Sequence, residues 1–272
     1  MRLVSIHRYP VKSLYRLDVD VAWVQPWGLA GDRRWLVTDD AGRMITQREE
    51  PRLTQLRPSY VDGELMLSAA GRPDLRVAAE PGELTEVTVF GTSVRLSRVD
   101  PAVDDWLSTT LDRKLHLVYL DDPTRRGVEL GVGRPDDRVN LADEYPLLLA
   151  NTASLDQLND WIAEAGGTGE PLPMTRFRPN VVVTGAPAWA EDGWVGHRVR
   201  IGAIPFRVAG RCARCVIPTT DQETGDRGRE PSRTLARFRN VDQKMLFGLH
   251  LIPDGTGEIR VGDEVAITGR TP

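Results

Sequence analysis

From residue 2 to about residue 97 the chain repeats one pattern. Short runs of strand length are stopped by glycine or proline, and no convincing long helix interrupts them. Residues 2 to 9 read as a first strand, broken at Tyr9-Pro10-Val11-Lys12-Ser13. Leu17, Val19, Val21 and Trp23 alternate with Asp18, Asp20 and Ala22, a period of two that turns one face of a strand toward a core. A glycine-punctuated loop covers Trp27 to Arg34, and Trp35-Leu36-Val37 starts another strand. Asp40-Ala41-Gly42 and Asp62-Gly63 read as hairpin turns, and Gly91 separates the runs 85–90 and 92–97. Many short strands at this spacing give a barrel or a sandwich.

The first helix is expected at 101–111, where Asp100 can cap and Pro101 suits the first position. A domain boundary is therefore set here, with one domain over 1–97 and a second over 98–272. In the second, Lys114 to Leu120 returns to strand, and 122–140, rich in charge, Gly and Pro, reads as a long loop. Pro146 to Ala150 is an apolar strand that runs into a helix with Leu155, Leu158 and Ile162 on one face, capped by Thr152 or Ser154. Val181-Val182-Val183 is a buried strand preceded by Arg176-Phe177-Arg178-Pro179-Asn180. Strands follow at 198–202 and 204–209, a short helix at Arg233 to Arg239, and closing strands at 246–252 and 258–268. The fold class is mainly β with a few helices, an α+β protein. The N-terminal domain is barrel-like.

Both cysteines of the chain, Cys212 and Cys215, lie at the end of the strand 204–209, with Arg211 and Arg214 flanking the first. Cationic neighbours favour the thiolate, which is both the nucleophile and the metal ligand. The bland alternative is a small buried apolar residue. A thioredoxin-like pair needs a helix after the motif, whereas Val216-Ile217-Pro218-Thr219-Thr220 reads as extended chain. Structural zinc usually takes two ligand pairs, and His7, His116, His197 and His250 are scattered. A strand entering a capped helix at Asn151-Thr152 offers free backbone N–H groups that suit an anion, with ordinary capping as the alternative. Of 35 basic residues only Lys12, Lys114 and Lys244 are lysine, so Lys12 can mark a place for a compact ammonium on phosphate.

A net charge of -4 argues against nucleic-acid binding. No apolar run approaches the ~20 residues of a membrane span, and the first residues lack the form of a signal peptide. Two cysteines in 272 residues fit a reducing compartment, so the expected location is cytoplasmic.

The order of the landmarks is similar to that of proteins with an N-terminal MOSC β-barrel domain followed by a MOSC domain. The bacterial YcbX-like proteins and the mitochondrial amidoxime-reducing components are of this kind. The matching pieces are Tyr9-Pro10-Val11-Lys12-Ser13, Gly31-Asp32-Arg33, Gln47-Arg48 with Glu50-Pro51-Arg52-Leu53, Ala153-Ser154-Leu155 with Leu158-Asn159, and Phe177-Arg178-Pro179-Asn180. After these come Cys212-x-x-Cys215 with Asp221 and Thr224-Gly225, and the closing Val261-Gly262-Asp263. The resemblance implies the molybdenum cofactor (molybdopterin) in a cleft between two β-barrel domains, with Cys215 ligating molybdenum. It implies that Lys12, Ser13, Arg33, Asn151, Thr152, Arg178 and Asn180, with Arg214 beside the thiol, hold the pterin and its phosphate. Asp221 is expected either to handle protons near the metal or only to cap the turn before Gly225.

The implied activity is reduction of small N-hydroxylated substrates. The chain has no cysteines left for an iron–sulfur domain and no anchor like that of the mitochondrial proteins, so a separate electron-donor protein is expected. One departure is Ala186, where several relatives carry a further cysteine. The alternative is a cofactor or sulfur carrier with a persulfide on Cys215, since MOSC domains also end molybdenum cofactor sulfurases. A complete sulfurase is not expected at this length, since no lysine-bearing pyridoxal-phosphate domain is seen in the sequence. A weaker third reading is a thiol-redox protein without metal.

Overall fold

The computed structural model describes residues 1–128, 133–167 and 169–270. Strands dominate, as expected for a mainly β, α+β chain. In order they are β1 (Arg2–Arg8), β2 (Leu17–Val19), β3 (Val21–Gln25), β4 (Gly28–Leu29), β5 (Trp35–Thr38), β6 (Arg57–Val61), β7 (Glu64–Ser68), β8 (Leu75–Val77), β9 (Leu84–Val89) and β10 (Thr92–Arg98). Helix α1 (Pro101–Leu111), β11 (His116–Tyr119), β12 (Leu147–Asn151), α2 (Thr152–Glu164), β13 (Val181–Thr184), β14 (His197–Ile201) and β15 (Ile204–Ala213) follow. Last come α3 (Ser232–Phe238), β16 (Asn240–Val241), β17 (Lys244–Pro253), β18 (Gly257–Arg260) and β19 (Val265–Arg270). The expected loop over 122–140 is described except for 129–132, which lie outside the described residues. Among the described residues, no helix is long and apolar enough to cross a membrane.

The largest sheet has the order β19-β14-β15-β17-β12-β13-β1-β2, with β16 paired to β17. Its core is built on Leu3, Ile6, Leu149, Val181, Val183, Phe206 and Leu251. The first strands thus belong to a sheet otherwise made from the second half of the chain. A second sheet, β5-β11-β10-β9, and the meander β6-β7-β8 surround two further cores, one with Trp35, Leu53 and Leu107, the other with Leu36, Val87 and Leu96. Helix α1 and β11 pack into these cores, beyond the expected boundary at 97–98, because β11 pairs with both β5 and β10. The hairpins at Asp62-Gly63 and Phe90-Gly91 have both loop residues at positive φ (52° and 85°, 50° and 86°), the twist that two-residue turns require.

Three local expectations change. The alternation through Leu17 and Trp23 is two strands rather than one. The chain bends at Asp20, β2 pairs with β1, and β3 pairs with β18. The phase flips at the bend, so Ala22 and Val24 are buried while Trp23 is 54% exposed. Residues Ile217–Thr219 form a 3-10 turn rather than extended chain; Pro218 fits there because its ring suits the start of a helical turn. The cap of α2 is Asn151, whose side chain accepts from Ala153 N at 3.3 Å.

Candidate functional site

A cavity of about 430 Å³ collects side chains from distant parts of the chain. Lys12, Ser13, Arg33, Arg48, Phe90, Arg126, Asp143, Glu144, Tyr145, Phe177, Arg178, Asn180, Cys212, Arg214, Cys215 and His250 are among its lining residues. Six of these are Lys or Arg and two are carboxylates, so the wall favours an anion.

The loop after β1 delivers Lys12 and Ser13. The Lys12 ammonium is buried, donates to Leu141 O at 2.8 Å and pairs with Asp143. Burial pulls its pKa down to about 8, against the opposing pull of Asp143. Burial would also keep the Asp143 carboxyl protonated, but Lys12 and Arg48 overcome it and hold it far below the usual carboxylate range. That carboxylate is 45% exposed because it opens onto the cavity. Arg48 Nη2 bridges it (3.0 Å) to Cys215 Sγ (3.4 Å).

Arg33 and Arg178 both stack on the Tyr9 ring, their guanidinium carbons 4.5 and 4.2 Å from its centre. Arg33 donates to Asp32 Oδ2 (2.7 Å), Asn180 Oδ1 (3.0 Å) and Arg178 O (3.3 Å). Arg178 donates through Nη1 to Gln222 Oε1 at 2.9 Å, but its buried Nη2 has no partner. Burial lowers the Arg178 pKa to about 10. Ser13, Arg33 and Arg178 all have positive φ (69°, 44° and 53°), a backbone state that costs non-glycine residues energy and clusters at functional sites.

Strand β15 and the chain after it deliver the sulfurs. Cys212 is buried and Cys215 is partly exposed. Arg214 donates to Cys212 Sγ (3.0 Å) and Phe177 O (2.8 Å), while its buried Nε is unpartnered.

The expected residues Lys12, Ser13, Arg33, Arg178, Asn180, Arg214 and Cys215 therefore meet on one cavity. Asn151, Thr152 and Asp221 are not among its lining residues. At the start of α2 the anion is internal. Buried Glu191 accepts from Asn151 Nδ2 (3.0 Å) and Ser154 Oγ (2.6 Å), and Thr152 bonds Thr184, so those groups face inward. Asp221 pairs with Arg176 at 2.8 Å and accepts from the Glu223 and Thr224 N–H groups, which caps the turn to Gly225. Sequence reasoning did not single out Asp143, Glu144, Arg126 or His250. Arg48 was visible only as part of a motif.

Chemically, the site offers converging cations for a polyanion and a soft sulfur ligand on the same wall. A family model described as the MOSC N-terminal beta barrel domain matches residues 1–114, and one described as the MOSC domain matches 136–266. The chain is 32% identical over 282 residues to "Mitochondrial amidoxime-reducing component 1" of Mus musculus, covering 96% of this chain and 81% of that protein. The Homo sapiens protein of the same name is 31% identical with the same coverage. "Molybdenum cofactor sulfurase" of Oryza sativa subsp. japonica is 31% identical over 99% of this chain but only 34% of its own length. Taken with the two-part β architecture, these matches show that the chain belongs to the family of proteins that join a MOSC N-terminal β-barrel domain to a MOSC domain.

Proposed function

We propose that the chain is a molybdenum-cofactor-binding oxidoreductase that reduces N-hydroxylated compounds. The observation that carries the proposal is that Cys215 shares one cavity with Lys12, Arg33 and an Arg178 whose buried Nη2 lacks a partner. The donor set fits the cofactor. A terminal phosphate would take hydrogen bonds from the free Arg178 and Arg214 nitrogens and charge from Lys12 and Arg33, and Cys215 would supply a thiolate ligand to the metal. The similarity to amidoxime-reducing components supports the choice of substrate.

Removing an N-hydroxyl oxygen as water consumes two electrons and two protons for each N–O bond cleaved. When bound, the cofactor supplies the two-electron chemistry, and a separate protein supplies the electrons. The chain's own residues position and charge the site, which is drawn from both the first and the second half of the chain. Lys12, Arg33 and Arg178 hold the anionic end, Arg48 keeps a guanidinium against Cys215 Sγ, and Asp143 tethers Lys12 and Arg48 together.

The sulfurase match over nearly the whole chain favours a second reading, a carrier that passes on cofactor or sulfur from Cys215. Benzamidoxime and a chemically reduced viologen dye separate the two. The reductase oxidises the dye with stoichiometric benzamidine formed, whereas cofactor-loaded protein that leaves both compounds unchanged is a carrier.

A further inference from the structure

We propose that Cys212 is a second nucleophilic thiol of the cavity, activated by Arg214 and His250, and that it takes small anionic disulfides. The inference goes beyond the reductase reading and needs no cofactor. Strands β15 and β17 lie side by side with Gly210 opposite His250, and this brings the imidazole against the Cys212 thiol. Arg214 Nη1 donates to the sulfur at 3.0 Å. Behind the imidazole, Glu144 Oε2 lies 3.2 Å from His250 Nε2, within ion-pair range though outside hydrogen-bond geometry, and the Tyr145 ring packs 4.8 Å from it. The result is a nucleophile, a base and a carboxylate in sequence on the wall of an open cavity.

Burial alone would raise the thiol, but Arg214 and then His250 bring it down to about 7. Burial would likewise lower the imidazole, but Cys212 and Glu144 push it up to about 9. Asp143 and Lys244 also act on this cluster through Glu144. Between those values the pair is thiolate and imidazolium. In the reaction the Cys212 thiolate attacks one sulfur of the disulfide. Its S–S bond breaks as the new one forms, and the other half leaves as a thiolate, so no further oxidant is needed. The cationic wall selects anionic reagents.

In the Cys215→Ser chain Cys212 is the sole thiol, and its reaction with dithiobis-nitrobenzoate is followed by release of the coloured thiolate. One equivalent is expected from the folded protein at pH 7.5, and its rate relative to that with the neutral aromatic disulfide 4,4′-dithiodipyridine is expected to exceed the same ratio for free cysteine. Adding His250→Gln slows release about fivefold, and Glu144→Gln slows it less. Mapping the adduct on the unmutated chain gives the same answer without a variant, since trypsin cuts after Arg211 and Arg214 and separates the two cysteines. Reaction only after denaturation, an adduct confined to Cys215, or rates unmoved by both His250→Gln and Glu144→Gln would overturn the proposal.

Discussion

Under the proposed function, Cys215→Ser is expected to lower amidoxime reduction by at least about 100-fold, while Cys212→Ser is expected to keep a good part of it. Changes to residues that support a metal's ligands typically cost 10–100-fold in metal affinity or activity, so removing the proposed ligand itself is expected to cost at least the upper end. Serine preserves size but offers a hydroxyl with little tendency to ionise in place of a soft thiolate. The two positions differ in the structure. Cys215 is partly exposed on the cavity and meets the Arg48 guanidinium, which is tied to the Asp143 that also holds Lys12. Cys212 is buried and held by Arg214 and His250. Turnover of each variant, normalised to its molybdenum content, separates lost loading from lost chemistry. Full turnover in Cys215→Ser would remove that residue from the metal.

Arg178→Met produces the second large effect, in two opposite directions. Cofactor retention falls at least about tenfold, since charge-assisted bonds to phosphate are among the strongest a protein makes. The melting temperature of the cofactor-free protein stays level or rises by about 1–3 °C. The reason is that Arg178 is buried, loses solvation and leaves Nη2 without a partner in the protein. Replacing a buried, incompletely paired charge by a residue of similar volume is often neutral or stabilising. The methionine can still lie along the Tyr9 ring that Arg178 now covers at 4.2 Å. Thermal melts with and without pyrophosphate read both directions at once. In the native chain pyrophosphate raises the transition, and in the variant that rise is lost. A variant that melts far below the native chain yet responds fully to pyrophosphate would make Arg178 a structural residue.

Most of the strands were legible because a period of two and glycine-bearing turns are local signals. The Phe90-Gly91 and Asp62-Gly63 hairpins fall where the sequence puts them. The period misled at Trp23, where a bend at Asp20 changed the pairing partner and with it the buried face. At the site, Lys12, Arg33, Arg178 and Cys215 were legible through short motifs. Their neighbours were not, because the contacts are long-range. Asp143 reaches Lys12 across 131 residues, and Arg48 reaches Cys215 across 167. His250 arrives only through the register of β17 on β15. At the start of α2 the ordinary alternative holds: Asn151 caps the Ala153 N–H, and the nearby anion, the chain's own Glu191, is held by the Asn151 and Ser154 side chains rather than by free backbone groups.

The central claim is that this cavity houses the molybdenum cofactor, and the metal and pterin content of the protein purified from a host that makes the cofactor tests it most directly. The account predicts close to one molybdenum and one pterin per chain. Protein from such a host that carries neither, while a known molybdenum enzyme made alongside it is fully loaded, would contradict it.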